Sequence, residues 1–478
     1  MEKVIDLSRW NKEHVKNEQE LQHLFDEVES QFSADPNPER STRREHLLTL
    51  KKSLLEHRKD LVAALNEDYG FRSEFDSVIC DILPAVEHIN YTLKKLTKWL
   101  KPSRRHSGLM LNPSKVSVHY QPVGVVGVMV PWNFPIVLSV APVITALAAG
   151  NKVMVKFSEF TPSTNQVLSR IFAQLEGQVY SVDGDVTIAR AFSQLPFNHL
   201  IFTGSTTVGR SVAQEAAKNL TPVTLELGGK SPVIIASDAD ITRAIDAIML
   251  GKSVNAGQIC VAPDYVLLPE GQQDAFAEQY LQRYRRAFCR KNKPVELSQI
   301  INDKQYQRLQ GLLSDAKEKG ARITTIENVE VTGRQMLPHL VMDVRESMLV
   351  MQEEIFGPIL PVIGYQKIEE AFEYIRSKPK PLALYLMSDD KELQKKVTRE
   401  TLSGGLAIND TLLHLAAHDA PFGGVGASGM GQYHGIEGFL AFSKTKTVLV
   451  TPSWLPRSRW VLRHRKGFER MLRWFLLR

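Results

Sequence analysis

From residue 123 the sequence alternates short, uninterrupted apolar runs with stretches of helical periodicity. The apolar runs are rich in β-branched residues, which is typical of buried strands. A strand–helix alternation of this kind indicates a parallel sheet that is covered by helices on both faces. The predicted strands are 123–130, 152–157 and 199–202, and the predicted helices are 136–149, 161–175 and 206–218.

A second unit of the same type follows residue 230, so the predicted fold class is α/β. Its predicted strands are 232–236, 264–268 and 359–363, and its predicted helices are 240–256, 273–288, 304–319 and 391–400. The first hundred residues have helical periodicity, and Val116, Val118 and Tyr120 alternate with polar residues as in a half-exposed strand. A chain of 478 residues is too long for one core, and two to four domains are expected.

Residues 123–150 carry no charge and are long enough to cross a bilayer. Pro131, Pro135 and Pro142 divide this stretch, which is therefore predicted to form a buried strand, a turn and a buried helix. The N-terminus lacks the apolar core of a secretory signal. The three cysteines are widely spaced and form neither a disulfide framework nor a paired-cysteine zinc signature. We therefore expect a cytoplasmic protein without a metal site.

The net charge of +6 is concentrated at the C-terminus. From Trp454 to Arg478, eight Lys and Arg residues accompany one acid, Glu469, so this tail carries +7 and the other 453 residues carry −1. A nearly neutral body does not suggest nucleic-acid binding. On a helix, five of the basic residues fall within about 80° and most apolar residues lie opposite them. The pattern predicts peripheral membrane contact through residues 454–478, or else packing of the apolar face on the body or on a partner subunit.

Three residues are candidates for catalysis. Cys260 follows a predicted helix, and a thiol is a strong nucleophile, although a lone cysteine is more often a small buried apolar residue. Glu226 lies at a predicted strand end, where burial would raise its pKa toward that of a general base, and a surface turn is the alternative. Asn133 lies between two prolines as a rigid amide donor suited to an oxyanion, or as a turn asparagine.

Two strand ends carry candidate cofactor residues. Gly204 and Gly209 bracket small hydroxyl residues, Ser205 among them, and backbone amides at the start of the following helix are suited to a pyrophosphate. This is not the glycine fingerprint of dinucleotide binding, so an ordinary strand–helix turn is the alternative. Lys156 and Glu159 close another predicted strand, where ligands gather in open α/β sheets, unless both lie in a solvated turn.

Taken together, these segments resemble the aldehyde dehydrogenase superfamily from about residue 40 to residue 450. They are similar above all to its class 3 branch and to the coniferyl aldehyde dehydrogenases. The matching runs, in the order of the family, are PWNFP, KFSE, FTGSTTVG, TLELGGK, NAGQICVAPDY, EEIFGP and PFGGVGASGMGQYHG.

The resemblance implies oxidation of an aldehyde to the carboxylic acid with NAD or NADP as cofactor. It implies that Cys260 attacks the aldehyde carbon, that Asn133 and the Cys260 N–H hold the oxyanion of the thiohemiacetal, and that Glu226 activates the water that hydrolyses the thioester. The implied cofactor residues are Lys156 and Glu159 at the adenosine ribose, Gly204 and Ser205 near the pyrophosphate, and Glu354 and Phe356 at the nicotinamide ribose and ring.

The family fold implies three parts and a tail. These are a Rossmann-type dinucleotide-binding domain at 1–102 and 123–225, an α/β catalytic domain at 226–429, a bridging β-strand region at 103–122 and 430–450, and the basic amphipathic tail at 451–478. Class 3 relatives imply a homodimer. Two positions depart from the family: Phe157 stands where proline is usual, and Ile259 stands where a polar or small residue is frequent, which indicates a more apolar pocket beside the thiol.

Two other functions fit the sequence less well. A CoA-acylating relative is disfavoured because a glutamate at position 226 suggests that water takes the acyl group. A non-catalytic scaffold or membrane-associated binding protein is disfavoured because the thiol, the base and the amide are all present. The predicted substrates are medium- or long-chain aliphatic aldehydes, or aromatic aldehydes such as coniferyl aldehyde. Both cofactors stay open, because Glu159 favours NAD while Lys156 tolerates the phosphate of NADP.

Overall fold

The computed structural model describes Val15 and residues 17–476 of the chain. Residues 18–99 are largely helical, as predicted. Helix α1 begins after Asn17, whose side chain accepts a hydrogen bond from the Glu20 N–H at 2.9 Å, and a π-helical turn at Val78–Ile82 separates α4 from α5. The bounds are α1 (Glu18–Ala34), α2 (Arg40–Glu56), α3 (Arg58–Tyr69), α4 (Glu74–Ser77) and α5 (Leu83–Trp99).

The next segment, up to residue 227, contains most of the first large sheet. Its elements are β1 (Ser103–Arg105), α6 (Gly108–Leu111), β2 (Lys115–Pro122), β3 (Val125–Met129), α7 (Pro135–Ala149), β4 (Lys152–Lys156), α8 (Pro162–Ala173), β5 (Val179–Val182), α9 (Val186–Gln194), β6 (His199–Gly204), α10 (Thr206–Ala217) and β7 (Val223–Leu227). The apolar stretch at 123–150 is a buried strand and a buried helix, as predicted. Within the described residues, no helix is both long and apolar enough to cross a membrane.

The segment from 231 to 430 contains the second large sheet. Its elements are β8 (Ser231–Ile235), α11 (Ile241–Ser253), β9 (Pro263–Pro269), α12 (Gln273–Phe288), β10 (Cys289–Arg290), β11 (Lys293–Pro294), α13 (Asp303–Glu318), β12 (Arg322–Thr325), β13 (His339–Met342), α14 (Leu349–Gln352), β14 (Ile359–Tyr365), α15 (Ile368–Ser377), β15 (Ala383–Met387), α16 (Lys391–Glu400), β16 (Gly405–Ile408) and β17 (Gly429–Met430). The helix predicted for 240–256 ends at Ser253, because a turn of left-handed residues follows it.

The first large sheet has the strand order β17–β7–β6–β3–β4–β5. All its pairings are parallel except that of β17 with β7. The carboxyl ends of the parallel strands therefore lie at one edge. Because Asn133 follows β3, Lys156 ends β4 and Gly204 ends β6, this edge carries candidate residues from distant parts of the sequence.

The second large sheet has the order β12–β13–β14–β9–β8–β15–β16, and only β12 is antiparallel to its neighbour. Strands β9 and β14 are parallel neighbours. Cys260 precedes β9, and Glu354 and Phe356 precede β14. All three residues therefore lie at the amino edge of this sheet.

A small antiparallel sheet joins β1, β2 and β18 (Ser443–Val450), and α17 (Gly435–Ala441) precedes β18. Its strands lie in the two segments that the sequence assigns to a bridging region. Strand pairing does not divide the chain at residue 226, because Glu226 lies inside β7 and β17 pairs back onto that strand. We propose that the boundary lies at the turn after Leu227.

The C-terminal tail forms two helices, α18 (Arg457–Arg463) and α19 (Arg465–Leu476). The amphipathic pattern predicts one helix for this segment, and that prediction is wrong. The chain leaves the helical conformation at His464, whose φ and ψ are −120° and 34°. Residues 477 and 478, and therefore Arg478, lie outside the described part of the chain.

Candidate active site

The Cys260 segment is a tight turn between α11 and β9. Asn255, Ala256 and Gly257 are consecutive left-handed residues with φ of 49°, 51° and 74°. A Cβ on Gly257 would lie 2.7 Å from the carbonyl oxygen of Gly357, which is closer than real Cβ contacts. Glycine at 257 therefore permits both the backbone angle and the close approach that set the position of Cys260.

Hydrogen bonds in both directions join the Asn133 loop to the Cys260 turn. The Asn133 side-chain Nδ2 donates to the carbonyl of Gln258 at 3.2 Å, and the Asn255 Nδ2 donates to the Asn133 carbonyl at 3.0 Å. The same carbonyl accepts from the Tyr69 hydroxyl at 3.1 Å. Asn133 is buried, so these bonds fix an amide donor beside the cysteine turn.

Arg72, which the sequence did not indicate, supports the Asn133 loop. Its guanidinium lies between the rings of Tyr69 and Phe134, 4.8 and 4.9 Å from their centroids, and its Nη1 donates to the Asn133 carbonyl at 2.9 Å. Its Nη2 lies 3.5 Å from Asp81 Oδ2, and both side chains are fully buried. Asp81 Oδ1 in turn accepts from the backbone N–H at the start of α7, 2.6 Å away. The ion pair therefore connects the helical N-terminal segment to the loop that carries Asn133.

Glu226 lies in β7 and is buried. Within the described residues, neither of its carboxylate oxygens has a hydrogen-bond partner, and burial raises its pKa well above the usual value. Gly429 of β17 pairs opposite it, where a Cβ would lie 2.4 Å from the carbonyl oxygen of Leu225. The glycine-rich run therefore covers the backbone of Glu226 closely while leaving its carboxylate without a partner.

Cys260 is half-buried and packs against an apolar cluster that includes Phe134, Ile259 and Leu412. Burial raises the pKa of its thiol to about 12, and the negative charges of Glu354 and then Glu226 act in the same direction. In this state the thiol is protonated at neutral pH. The electrostatic interaction with Glu226, together with the Asn133–Gln258 hydrogen bond, shows that the fold brings the three predicted catalytic residues together.

Glu354 and Phe356 enter the site from the segment before β14. Burial raises the pKa of Glu354 to about 8, while a hydrogen bond from the Gly229 N–H acts in the opposite direction. A Cβ on Gly228 would lie 1.9 Å from Glu354 Oε2, so the glycine pair that follows β7 leaves the space that this carboxylate occupies. Phe356 has a φ of 50°, and its ring meets that of Trp132 edge-on with centroids 5.3 Å apart.

Three further side chains that the sequence did not single out hold the backbone around Glu354. Lys230 forms an ion pair with Asp264 and donates to the carbonyls of Val350 at 2.6 Å and Glu353 at 2.9 Å. Asp264 accepts from the Ile355 N–H at 2.9 Å, and Arg308 donates to the Ile355 carbonyl at 2.6 Å. These bonds fix the loop backbone and so position the Glu354 side chain, whose Oε1 has no hydrogen-bond partner among the described residues.

The predicted cofactor residues lie at the carboxyl edge of the first sheet. Lys156 is buried, and its Nζ donates to the Phe157 carbonyl at 2.6 Å. Burial lowers the pKa of Lys156, and the charges of Glu159, Asp183 and Asp185 oppose that shift. Glu159 itself is exposed.

Phe157, which departs from the family pattern, lies inside the core. Its ring stacks on that of Phe172, with centroids 6.1 Å apart and an interplanar angle of 6°. The phenylalanine therefore fills the space under α8, while its carbonyl holds the Lys156 ammonium.

The turn after β6 places Ser205 at the N-cap of α10, where its Oγ accepts from the Val208 N–H at 3.4 Å. The backbone amide of Gly209 is occupied, because it donates to the Ser205 carbonyl at 2.9 Å. Gly209 stays a predicted cofactor residue, because the amides expected to meet a pyrophosphate are those of the residues between Gly204 and Gly209. A Cβ on Gly209 would lie 2.5 Å from the Leu227 side chain, and one on Gly204 would lie 2.5 Å from the Phe202 ring. Both glycines are therefore required by packing.

The observed groups fit a bound dinucleotide. A helix N-terminus and a buried lysine lie along the edge where ligands gather in open α/β sheets. A Glu354 oxygen that has no partner among the described residues lies against the glycine turn after β7. Across Val15 and residues 17–476, no group of three or more His, Cys, Asp or Glu side chains is arranged to hold a metal ion.

Comparisons with known proteins agree with this geometry. The model of the aldehyde dehydrogenase family matches residues 8–448. The chain is 47% identical over 435 residues to a probable coniferyl aldehyde dehydrogenase of Pseudomonas aeruginosa, with 91% of each chain covered. It is 42% identical to the coniferyl aldehyde dehydrogenase of a Pseudomonas species, with 83% of this chain and 84% of the relative covered.

Solved structures of the same family have the same fold. A substrate-bound Staphylococcus aureus AldH superposes with a TM-score of 0.87 at 35% identity, over 94% of this chain and 99% of that one. A Mycobacterium tuberculosis aldehyde dehydrogenase complexed with NAD+ has a TM-score of 0.83 at 28% identity, over 92% of this chain and 91% of that one. These findings confirm the resemblance found in the sequence. The chain belongs to the aldehyde dehydrogenase family and is an oxidoreductase that converts aldehydes to acids with a nicotinamide dinucleotide cofactor.

Proposed function

We propose that Cys260 is the nucleophile, Asn133 the oxyanion donor and Glu226 the general base of this reaction. The observation that carries the proposal is the convergence of the three groups: Asn133 bonds to the turn that carries Cys260, and Cys260 interacts electrostatically with Glu226. The two carboxylate oxygens of Glu226 lack partners in the described part of the chain, so they are available to take a proton.

The first step forms a bond between Cys260 Sγ and the aldehyde carbon. The thiol proton is released to solvent, and the electron pair of the broken carbonyl π bond becomes an oxyanion held by Asn133 Nδ2 and the Cys260 N–H. A bound nicotinamide dinucleotide, whose nicotinamide ribose and ring Glu354 and Phe356 would hold, would supply the acceptor for the hydride that leaves this tetrahedral carbon. The carbon is thereby oxidised, and the acyl group stays on Cys260 as a thioester.

Glu226 then acts in hydrolysis. Its carboxylate takes a proton from water, the oxygen of that water bonds to the thioester carbon, and the carbon–sulfur bond breaks to release the acid and the Cys260 thiolate. A carboxyl group with a raised pKa suits this role, because its carboxylate is a stronger base than an ordinary glutamate. The presence of this base also favours water over CoA as the acyl acceptor.

For the cofactor, we propose that Lys156 and Glu159 contact the adenosine ribose, that Gly204, Ser205 and the start of α10 adjoin the pyrophosphate, and that Glu354 and Phe356 position the nicotinamide ribose and ring. Gly209 supports this site by packing. Three acids act on Lys156, and their negative charge disfavours a 2′-phosphate. We therefore propose that NAD is preferred and that Glu159→Gln raises the affinity for NADP relative to NAD, as measured by the quenching of protein fluorescence.

The proposed substrate is an aromatic aldehyde of the coniferyl type or a medium- or long-chain aliphatic aldehyde. Cys260 packs against an apolar cluster that includes Phe134, Ile259 and Leu412, and this apolar environment supports an apolar acyl group. We also propose a cytoplasmic homodimer. Strand β18 supports it, because it lies at the edge of its sheet and its residues are largely exposed, and such an edge can pair with a second copy.

The test measures NADH formation with coniferyl aldehyde and with a medium-chain aldehyde. We expect Cys260→Ala to abolish turnover, whereas Cys289→Ala, at a second half-buried cysteine, retains it. We expect Glu226→Gln to give a burst of one NADH per subunit and then stop, because the thioester is trapped. Sustained aldehyde oxidation by the Cys260→Ala variant would contradict the proposal. Absence of dehydrogenase activity in the protein without substitutions would favour a scaffold role.

A further inference from the structure

The C-terminal helices α18 and α19 extend from the body as a largely exposed element. Arg457 holds their start: its Nη2 donates to the carbonyl of Leu111 at 2.6 Å and to Ser114 Oγ at 3.1 Å. From residue 451 to residue 474, no described side chain is buried. The start of the tail is therefore hydrogen-bonded to the body, but none of its described side chains is part of the hydrophobic core of this subunit.

Apolar side chains are concentrated on this exposed element. Trp454, Leu462 and Trp474 are 71%, 62% and 55% exposed. Trp460 is also exposed, and its ring meets that of Phe468 edge-on at 5.5 Å between centroids. This contact joins α18 to α19 across the break at His464, so the two helices present their apolar residues as one unit.

Apart from Arg465, which lies on the apolar side, helix α19 separates apolar from basic residues. At about 100° per residue, Lys466, Arg470 and Arg473 fall within about 60° of one another. Phe468, Met471 and Leu472 lie on the other side of the helix. An exposed helix with one basic and one apolar face fits the boundary between lipid headgroups and acyl chains, where cations contact phosphates and apolar residues enter the hydrocarbon.

The charge distribution identifies the partner. The described residues from Trp454 to Leu476 include seven Lys and Arg residues and one acid, Glu469, whereas the 453 residues before the tail carry a net −1. An anionic surface would therefore attract the tail and not the body. A nucleic acid would satisfy the positive charge but not the tryptophan and leucine side chains, whereas an anionic bilayer satisfies both.

We propose that α18 and α19 dock this enzyme on the surface of an anionic lipid bilayer, with the helix axes along the plane of the membrane. The element lies on the surface rather than spanning it, because α19 has only twelve residues, whereas a span needs about 20. Docking keeps the catalytic body at the surface, where apolar aldehydes are concentrated. The proposal concerns the tail alone and does not depend on the roles proposed for Cys260, Glu226 and Asn133.

The experiment measures sedimentation of the full-length protein with vesicles of phosphatidylcholine, alone or mixed with phosphatidylglycerol. Binding is expected only to the mixed vesicles, with a blue shift of tryptophan fluorescence. Lys466→Gln/Arg470→Gln is expected to weaken partitioning about 30-fold, since each cation near an anionic surface contributes about 1 kcal/mol. The matched control Lys391→Gln/Lys395→Gln, which removes two exposed lysines from α16, is expected to bind like the unmodified protein.

Further measurements distinguish lipid binding from DNA binding and from contact between subunits. Met471→Gln is expected to reduce the fluorescence shift and the partitioning, while turnover of a water-soluble aldehyde stays unchanged in every tail variant. Equal vesicle binding by the full-length chain and by residues 1–453 would overturn the proposal. A tail that binds duplex DNA but not vesicles, or whose removal changes the oligomeric state without any effect on vesicle binding, would overturn it as well.

Discussion

Replacing Arg72 by methionine tests whether the buried ion pair supports the active site. The guanidinium is fully buried, lies 3.5 Å from Asp81 and donates to the Asn133 carbonyl at 2.9 Å. Arg72→Met removes the charge while keeping an apolar side chain between Tyr69 and Phe134. Breaking a buried pair by removing one partner costs about 3–5 kcal/mol, because the other charge is left uncompensated. We expect the free energy of unfolding at pH 8 to fall by that amount.

This cost is expected to depend on pH. Burial raises the pKa of Asp81 to about 6, and Arg72 opposes that shift, so the pKa rises further in Arg72→Met. A carboxyl group with a raised folded-state pKa contributes stability that is complete below its unfolded pKa of about 3.9 and is lost as pH rises through the folded pKa. Above pH 6 the free energy of unfolding of the variant continues to fall by about 1.4 kcal/mol per pH unit, whereas that of the original protein no longer changes through this group. The destabilisation is therefore smallest near pH 5 and largest near pH 8.

Urea unfolding at pH 5, 6, 7 and 8 measures the effect. In the double variant Arg72→Met/Asp81→Asn, the amide keeps an acceptor for the N–H at the start of α7 and the unpaired charge is gone, so at least about 2 kcal/mol should return at pH 8. The turnover number should stay about 10- to 100-fold low in both variants, because the Asn133 carbonyl has lost a donor. Arg283→Met, which breaks an exposed pair with Asp246, should cost less than about 1 kcal/mol. A cost for Arg72→Met that is the same at pH 5 and pH 8 would refute the reasoning.

Three further substitutions test other parts of the site. Asn133→Ala should lower kcat about 10²- to 10³-fold with little change in KM, because one oxyanion donor is lost, and a fall below tenfold in steady-state assays would argue against that role. Glu354→Gln should move the pH profile of Cys260 alkylation by iodoacetamide to lower pH, because a charge that raises the thiol pKa is removed, and an unmoved profile would be inconsistent with this. Gly257→Ala should lower kcat at least about 100-fold, because the new Cβ meets a carbonyl oxygen at 2.7 Å. The control Gly311→Ala, where a Cβ meets nothing within 4 Å, should retain activity and gain about 0.5–1 kcal/mol of stability. Equal activity of Gly257→Ala and Gly311→Ala would show that the turn before Cys260 tolerates a side chain.

The sequence predicts several strands from their own apolar residues, but the prediction misses β12, which depends on its neighbour, and also β15, whose five residues are all buried. Strands β3, β4 and β9 are continuous apolar runs, so their positions follow from local composition. Strand β12 (Arg322–Thr325) is polar and half-exposed, and among the described residues it pairs with β13 alone, in the antiparallel direction. Its conformation therefore depends on partners 14 to 20 residues away in the sequence, which periodicity does not report. The tail was predicted as one helix because its amphipathic pattern continues across His464, where the backbone departs from helical angles.

The catalytic candidates were accessible from the sequence because each lies in a short run of distinctive chemistry. The residues that position them were not. Arg72 reaches an atom 61 residues away in the chain, and Lys230 reaches one 120 residues away. Such contacts depend on how the sheets face each other, and no local pattern encodes them. Gly209 stays a predicted cofactor residue, and the structure adds a packing contact with Leu227 that the local pattern did not indicate.

The partners of the buried charges distinguish residues that position the site from residues that react. Lys230 and Asp264 each use their polar atoms on the ion pair and on backbone groups before β14, so they have little capacity left for a ligand. Glu226 has two buried oxygens without partners in the described part of the chain, and Glu354 has one. Leaving a buried polar atom unsatisfied costs about 1–3 kcal/mol, so stability alone would not retain these carboxylates. Buried carboxylate oxygens without partners are expected where a ligand, a substrate or water completes their hydrogen bonds during turnover. The roles proposed for Glu226 and Glu354 both require such a partner.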